Sequence, residues 1–214
     1  MATSIIAITG PSGSGKTYLA RSLYREMQNS FPGVAVDILA EDSYYHDQAH
    51  VPEAQRQQVN YDHPSALEHE LLLEHLLRLK AGEVVNAPTY DYTRHTRSEQ
   101  TRQIEPTHLL ILEGILLLSH QSLREHYDLS LFVDTPLDVC LQRRMQRDCE
   151  ERGRSPESVT EQFEATVRPM FHEHIEPTRE HAHLVLSGQD PAESMASRVR
   201  QELEQRGYLF PEQD

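Results

Sequence analysis

The stretch GPSGSGKT, Gly10 to Thr17, decides how this chain reads. It satisfies the pattern G-x-x-x-x-G-K-[ST]. It follows the apolar run Ser4 to Thr9 directly and opens an amphipathic stretch that starts near Lys16. Strand, loop and helix in that order are the context a phosphate cradle requires. Glycines let the backbone curl until successive N–H groups face phosphate oxygens, and the helix amino terminus adds a partial positive charge. Gly10, Pro11, Ser12, Gly13, Ser14, Gly15, Lys16 and Thr17 are therefore the expected nucleotide-binding residues, with Lys16 on the β and γ phosphates and the Thr17 hydroxyl on Mg2+. The plainer alternative, a glycine-rich turn that caps a helix, is disfavoured by the flanking context.

Outward from the loop, short apolar, β-branched runs alternate with longer amphipathic ones. Ser4 to Thr9, Val34 to Leu39, His108 to Leu112, Leu129 to Val133 and His183 to Leu186 read as strands. This alternation predicts an α/β fold, a P-loop NTPase-like parallel sheet flanked by helices, with ligands beyond the carboxyl ends of its strands. The 214 residues fit one such domain, 1–214, with room for a lid. Ser65 to Lys80 reads as a helix with a capping box of Ser65 and Glu68, and Gly82 sits just past its end. Asp134-Thr135-Pro136 reads as a cap and a first-turn proline, opening the helix that carries Arg143 to Arg152. The stretch from Glu83 to Pro106 breaks the rhythm and is expected to be a small β-rich insertion, about 83–106, over the sheet.

Composition narrows the class. Hydrophobic residues make up 37% and charged ones 25%, which suits a soluble globular protein rather than a disordered or membrane one. The longest apolar stretch, LLILEGILLL, is short and contains Glu113, so no membrane span is expected. The start, MATSIIAIT, lacks a basic leader, and the two cysteines, Cys140 and Cys149, form no CxxC pair; a reducing, cytoplasmic setting is expected. Twenty basic and 34 acidic side chains give a net charge of −14, which disfavours nucleic acid as a partner.

A phosphate ligand on so acidic a chain needs a local concentration of positive charge. RRMQRDCEERGR, residues 143–154, holds five arginines in twelve positions. The bland reading is a solvated helix face, because Arg144 with Asp148 and Arg147 with Glu151 are i,i+4 pairs. Arginines nevertheless outnumber acids here, and Arg152-Gly153-Arg154 marks a helix break where a lid, about 143–156, would hinge over phosphates. A magnesium ion also needs a carboxylate at a strand end. Glu113 and Asp134 both qualify, and Glu113 is preferred because Asp134 already has a capping task. Asp42, which closes the second strand region in VDILAEDSYY, would face the same crevice and could take a proton from an acceptor hydroxyl. Asp before Ser is also ordinary turn chemistry.

GPSGSGKT, EDSYYHD, NYDHPSA, PTYDYTRHTR, LEGILLL, FVDTPLD and RRMQRDCEERGRS, in that order and spacing, resemble the uridine kinases, also called uridine-cytidine kinases, of the bacterial type. The resemblance covers about residues 4 to 180. It implies a kinase that moves the γ-phosphoryl of Mg-ATP or GTP to the 5′ hydroxyl of uridine or cytidine, in a homotetramer. It further implies that Asp42 is the catalytic base, that Asp62 and Arg144 bind the ribose hydroxyls, and that Tyr90, Tyr92 and His95 frame the pyrimidine. Arg147, Arg152 and Arg154 then serve the lid and the phosphates, Arg147 and Lys16 in catalytic roles. The residue types suit these tasks: a carboxylate's two oxygens match a vicinal diol, and neutral imidazole can face either uracil O4 or the cytosine amino group. Without the resemblance, buried tyrosines read as core and a loop histidine as surface.

One segment departs from the family. HAHLVLSGQD, residues 181–190, has His183 where an acid is usual and Ser187-Gly188-Gln189 in place of a basic turn, which leaves donor-base preference and subunit contacts untransferred. His172, His174, His181 and His183 lack HxxxH spacing, so zinc is disfavoured. The alternatives are a phosphoribulokinase or pantothenate kinase type, a nucleotide-sensing switch, for which no NKxD motif is present, and a catalytically silent scaffold.

Overall fold

In the first strand, β1 (Ser4–Thr9), Ile5 and Ala7 enter one apolar cluster while Ile6 and Ile8 enter another. Burial on both faces belongs to a central strand of a parallel sheet. The computed structural model describes residues 3–56 and 59–208. After β1 come α1 (Lys16–Ser30), β2 (Val36–Ala40), a single 3₁₀ turn at Glu41–Tyr44, and the short α2 (Glu53–Arg56). Helix α3 (His69–Lys80) leads to an antiparallel hairpin of β3 (Val85–Asp91) and β4 (Thr96–Ile104). Then follow β5 (Leu109–Glu113), α4 (Gln121–Arg124), β6 (Leu129–Asp134) and α5 (Leu137–Arg152). Helix α6 (Pro156–Gln162) continues through π-helical turns on either side of α7 (Arg168–Met170), and β7 (Leu184–Ser187) and α8 (Ala192–Gln205) complete the order.

The main sheet runs β2-β5-β1-β6-β7, with every neighbouring pair parallel. Its register aligns Ile8 with Glu113 and Ala40 with Glu113, so the strands end along one edge. The chain places β2 and β5 on one side of β1 and β6 and β7 on the other. A crevice opens at the carboxyl end of β1, where the connections diverge. Leu19, Leu23 and Met27 of α1 with Val199 and Leu203 of α8 cover one sheet face. Leu72, Leu76 and Leu79 of α3 cover the other, and burying each leucine is worth roughly 2 kcal/mol.

Three local expectations are corrected. Helix α3 begins at His69, not Ser65. Pro64–Ala66 form a separate 3₁₀ turn whose Ser65 N–H is capped by the His63 ring, and Leu67 is extended and bridges Tyr45. Glu68 stands at the helix start without a side-chain cap and pairs with Arg97 at 2.7 Å. Asp134 does not cap α5. Pro136 itself occupies the cap position, and Asp134 pairs with Arg179 at 3.0 Å. Arg147 turns to Asp148 rather than Glu151, with Nη2 at 2.9 Å.

His183, the departure from the family pattern, has a structural task. Its Nδ1 accepts the Ser130 N–H at 3.0 Å, joining the start of β7 to β6, and burial holds its pKa below the usual histidine value. This agrees with a neutral ring protonated on Nε2.

Candidate functional site

The loop between β1 and α1 is shaped by its glycines. Gly10, Gly13 and Gly15 have φ of 141°, 86° and 105°, in the left-handed range. A Cβ on Gly10 would lie 2.5 Å from the Val133 carbonyl, and one on Gly13 2.5 Å from the Cys140 carbonyl. The loop therefore lies flat against the ends of β6 and α5. Ser14 Oγ is buried with no hydrogen-bond partner among the described residues, a free polar atom inside the cradle. Lys16 is 6% exposed, and its Nζ donates to the Pro11 carbonyl at 3.0 Å, curling back over the loop. Burial lowers its pKa, against the pull of Glu113 and Asp42.

Two more strand ends bring carboxylates to this cradle. Glu113, at the tip of β5, accepts from Thr17 Oγ1 at 3.3 Å, and burial pushes its pKa up to about 7. A hydroxyl beside a carboxylate starved of water, next to a phosphate cradle, is a donor set suited to a hard divalent cation. Thr17 and Glu113 thus fit Mg2+. Among the described residues no cluster of three or more His, Cys, Asp or Glu is arranged for a metal. His172 pairs with Glu176 at 2.7 Å, and the His174 ring meets that of His63 edge-on.

Asp42 lies in the 3₁₀ turn that follows β2, and desolvation raises its pKa. Its Oδ2 accepts from the Tyr92 hydroxyl at 2.9 Å. The Arg152 guanidinium lies over the Tyr92 ring, 4.9 Å from its centroid.

Beyond Asp42 stands an aromatic wall. Tyr45 packs against Tyr61 and Tyr90, each at 5.2 Å between ring centroids; Tyr90 meets Tyr92 at 5.3 Å; and His95 stacks on Tyr61 at 5.8 Å. The hairpin supplies Tyr90, Tyr92 and His95, the last at its tip with φ of 50°, so the turn itself aims the ring. Burial, with Arg152 and Arg154 nearby, lowers the His95 pKa and favours neutral imidazole. Asp62 is 6% exposed; burial raises its pKa and Arg144 opposes the rise. Arg144 in turn donates to Ser12 Oγ of the phosphate loop at 3.2 Å, linking the two halves of the site.

Four of the arginines in residues 143–154 converge on Asp148, which the sequence reading had paired with Arg144 alone. Asp148, fully buried, receives Arg144 at 3.5 Å, Arg147 at 2.9 Å, Arg152 at 3.6 Å and Arg154 at 3.4 Å. Gly153, with φ of 64°, ends α5 and lets the chain double back. Gln162 was missed; its Oε1 accepts from Arg144 at 2.8 Å and from Arg154 at 2.6 Å. Tyr45 and Tyr61 lay inside quoted motifs without being singled out. Glu41 is buried and holds His69 at 2.8 Å and the Leu116 N–H at 2.9 Å, and Gly114 leaves it room. Helical i,i+4 spacing already pointed Arg144 and Arg152 at Asp148; the approach of Arg154 had no such local signal.

The arrangement combines an anion cradle, a cation pair, a desolvated carboxylate and an aromatic pocket around one crevice. A profile of the phosphoribulokinase / uridine kinase family matches residues 5–191. A uridine kinase of Yersinia pestis is 51% identical over 182 residues, 85% of each chain, and one of Yersinia enterocolitica is 50% identical over the same span. Among solved structures, a D-glycerate 3-kinase from Cryptococcus neoformans superposes with a TM-score of 0.62 at 17% identity, covering 83% of this chain and 80% of that one. A possible uridine kinase from Bacillus stearothermophilus gives 0.55 at 20% identity, covering 87% and 90%. These two likenesses speak for the fold alone, an α/β arrangement of a parallel sheet flanked by helices. With the profile match and the Yersinia relatives, the chain belongs to the phosphoribulokinase / uridine kinase family.

Proposed function

We propose that this protein is a uridine-cytidine kinase that transfers the γ-phosphoryl of Mg-ATP or GTP to the 5′ hydroxyl of the nucleoside, giving UMP or CMP. The observation that carries the proposal is the position of Asp42 at the joint between the phosphate cradle and the Asp62, Tyr90, His95 pocket. Half-identical relatives named uridine kinases support the acceptor.

In this reading the loop N–H groups and Lys16 hold the donor phosphates, and Arg147, Arg152 and Arg154 close on them. Thr17 and Glu113 hold Mg2+, which when bound offsets charge on the phosphates. Asp62 and Arg144 fix the ribose diol. Tyr90 and Tyr92 flank the base, and neutral His95 meets its edge by donating or accepting a hydrogen bond. Asp42 accepts the 5′ hydroxyl proton as that oxygen bonds to the γ-phosphorus, while the bond from that phosphorus to the β,γ-bridging oxygen breaks and its electron pair leaves on the nucleoside diphosphate. Alignment and charge neutralisation supply most of the rate. We assign the enzyme to the cytoplasm and, by family resemblance, to a homotetramer. Among the described residues no helix is long and apolar enough to cross a membrane.

The acceptor carboxylates and the hairpin pocket weigh against a nucleotide-sensing switch, which would use neither. The test is ADP formation with and without nucleoside. Turnover dependent on uridine or cytidine is expected; no turnover with either would end the proposal.

A further inference from the structure

Tyr92 is 42% exposed, yet its hydroxyl reaches inward to Asp42 Oδ2 at 2.9 Å while its ring carries Arg152 at 4.9 Å. A single side chain of the hairpin thus touches both the carboxylate proposed as base and an arginine proposed for the phosphates. The phenol O–H occupies one acceptor site of the Asp42 carboxylate, at Oδ2. A carboxylate that accepts from a phenol is a weaker base toward any other donor.

The alternative donor in an empty acceptor pocket is water. If Asp42 took a proton from water beside a bound triphosphate, the water oxygen would bond to the γ-phosphorus. The bond from that phosphorus to the β,γ-bridging oxygen would break, with its electron pair leaving on ADP. The proton would pass through Asp42 to solvent, and phosphate would be lost with nothing phosphorylated. We propose that Tyr92 is a positioning residue that withholds Asp42 from water until the acceptor hydroxyl displaces the phenol. Because Arg152 rests on the same ring and otherwise pairs with Asp148 at 3.6 Å, that displacement removes one of its two contacts. Arrival of the acceptor and closure over the donor become one event. The inference rests on the reading of Asp42 as the base.

The Tyr92→Phe variant keeps the ring, and with it the Arg152 contact, while removing the hydroxyl. The measurement is phosphate release from Mg-ATP without nucleoside, in the wild type, in Tyr92→Phe and in the Asp42→Asn, Tyr92→Phe double variant. Nucleoside-independent hydrolysis should rise about fivefold or more in Tyr92→Phe, the factor matching one hydrogen bond of ordinary strength, and return to the wild-type level in the double variant. A purely structural role for Tyr92 would lower hydrolysis and transfer together. Unchanged or reduced hydrolysis in Tyr92→Phe overturns the inference, as does a rise that persists without the Asp42 carboxylate. Uridine-dependent UMP formation by the wild type is followed alongside. Its absence would count against the acceptor assignment and leave the hydrolysis comparison readable, since that comparison requires only the donor.

Discussion

Asp42 and Glu113 are both carboxylates held above their usual pKa by burial beside the phosphate loop, and their assigned roles separate them. Asp42→Asn keeps the shape and removes the basic oxygen. It should lower kcat about 10²- to 10⁴-fold while nucleotide binding, followed by fluorescence titration, stays near wild type; retained turnover would place the base elsewhere. Glu113 gives a prediction about stability. Its folded pKa of about 7 lies above its ordinary 4.5, so the folded state binds the proton more tightly than the unfolded one. Stability from this group is fully present below pH 4.5 and is lost as pH rises through about 7. Without metal at pH 8, Glu113→Gln should therefore raise unfolding free energy by on the order of 1–2 kcal/mol, discounted for partial solvent access. At pH 4 the two proteins should melt alike. A loss of stability at pH 8 would show that the carboxylate is held by favourable contacts instead. Added Mg2+ should stabilise only the wild type.

At the scale of elements, strands were legible because each is a short apolar run; the five of the main sheet lie within two residues of their expected bounds. The starts of helices were less legible. A capping box at Ser65 is a local pattern, but Pro64 and the bridge between Leu67 and Tyr45 use those backbone groups for a turn and a strand contact first. Asp134 looked like a cap for the same reason, and a distant partner, Arg179, took its carboxylate. The arginines of α5 were visible as a cluster, and Arg144 and Arg152 reach Asp148 at plain i,i+4 spacing, whereas the approach of Arg154 depends on Gly153 turning the chain back, which spacing does not reveal. Asp148→Asn should leave four guanidinium groups without their shared counter-ion. We expect a cost of about 2–3 kcal/mol in urea unfolding and a raised KM for the donor nucleotide, with a smaller change in KM for uridine. Equal effects on both KM values would contradict a lid held in place by this residue.

For the whole molecule, a net charge of −14 coexists with a proposed site for a polyanionic nucleotide because Arg143 and Arg144 reach the loop that carries Lys16. The strand order β2-β5-β1-β6-β7 also brings Asp42 and Glu113 beside Lys16, although up to 97 positions separate the three in the chain. The cradle was legible from eight consecutive residues. The proposed acceptor pocket was not, because it draws on Tyr45, Tyr61, Asp62 and the hairpin, four pieces whose meeting is a property of the fold; family resemblance suggested Asp62 and the hairpin residues but not Tyr45 or Tyr61. The most direct measurement is a crystal structure with uridine and a non-hydrolysable ATP analogue bound together. It should place the uridine 5′ oxygen within about 3 Å of an Asp42 carboxylate oxygen and in line with the γ-phosphorus, with the Tyr92 hydroxyl moved off that carboxylate. A γ-phosphate directed away from Asp42, or a nucleoside bound outside the Asp62 and His95 pocket, would contradict the account.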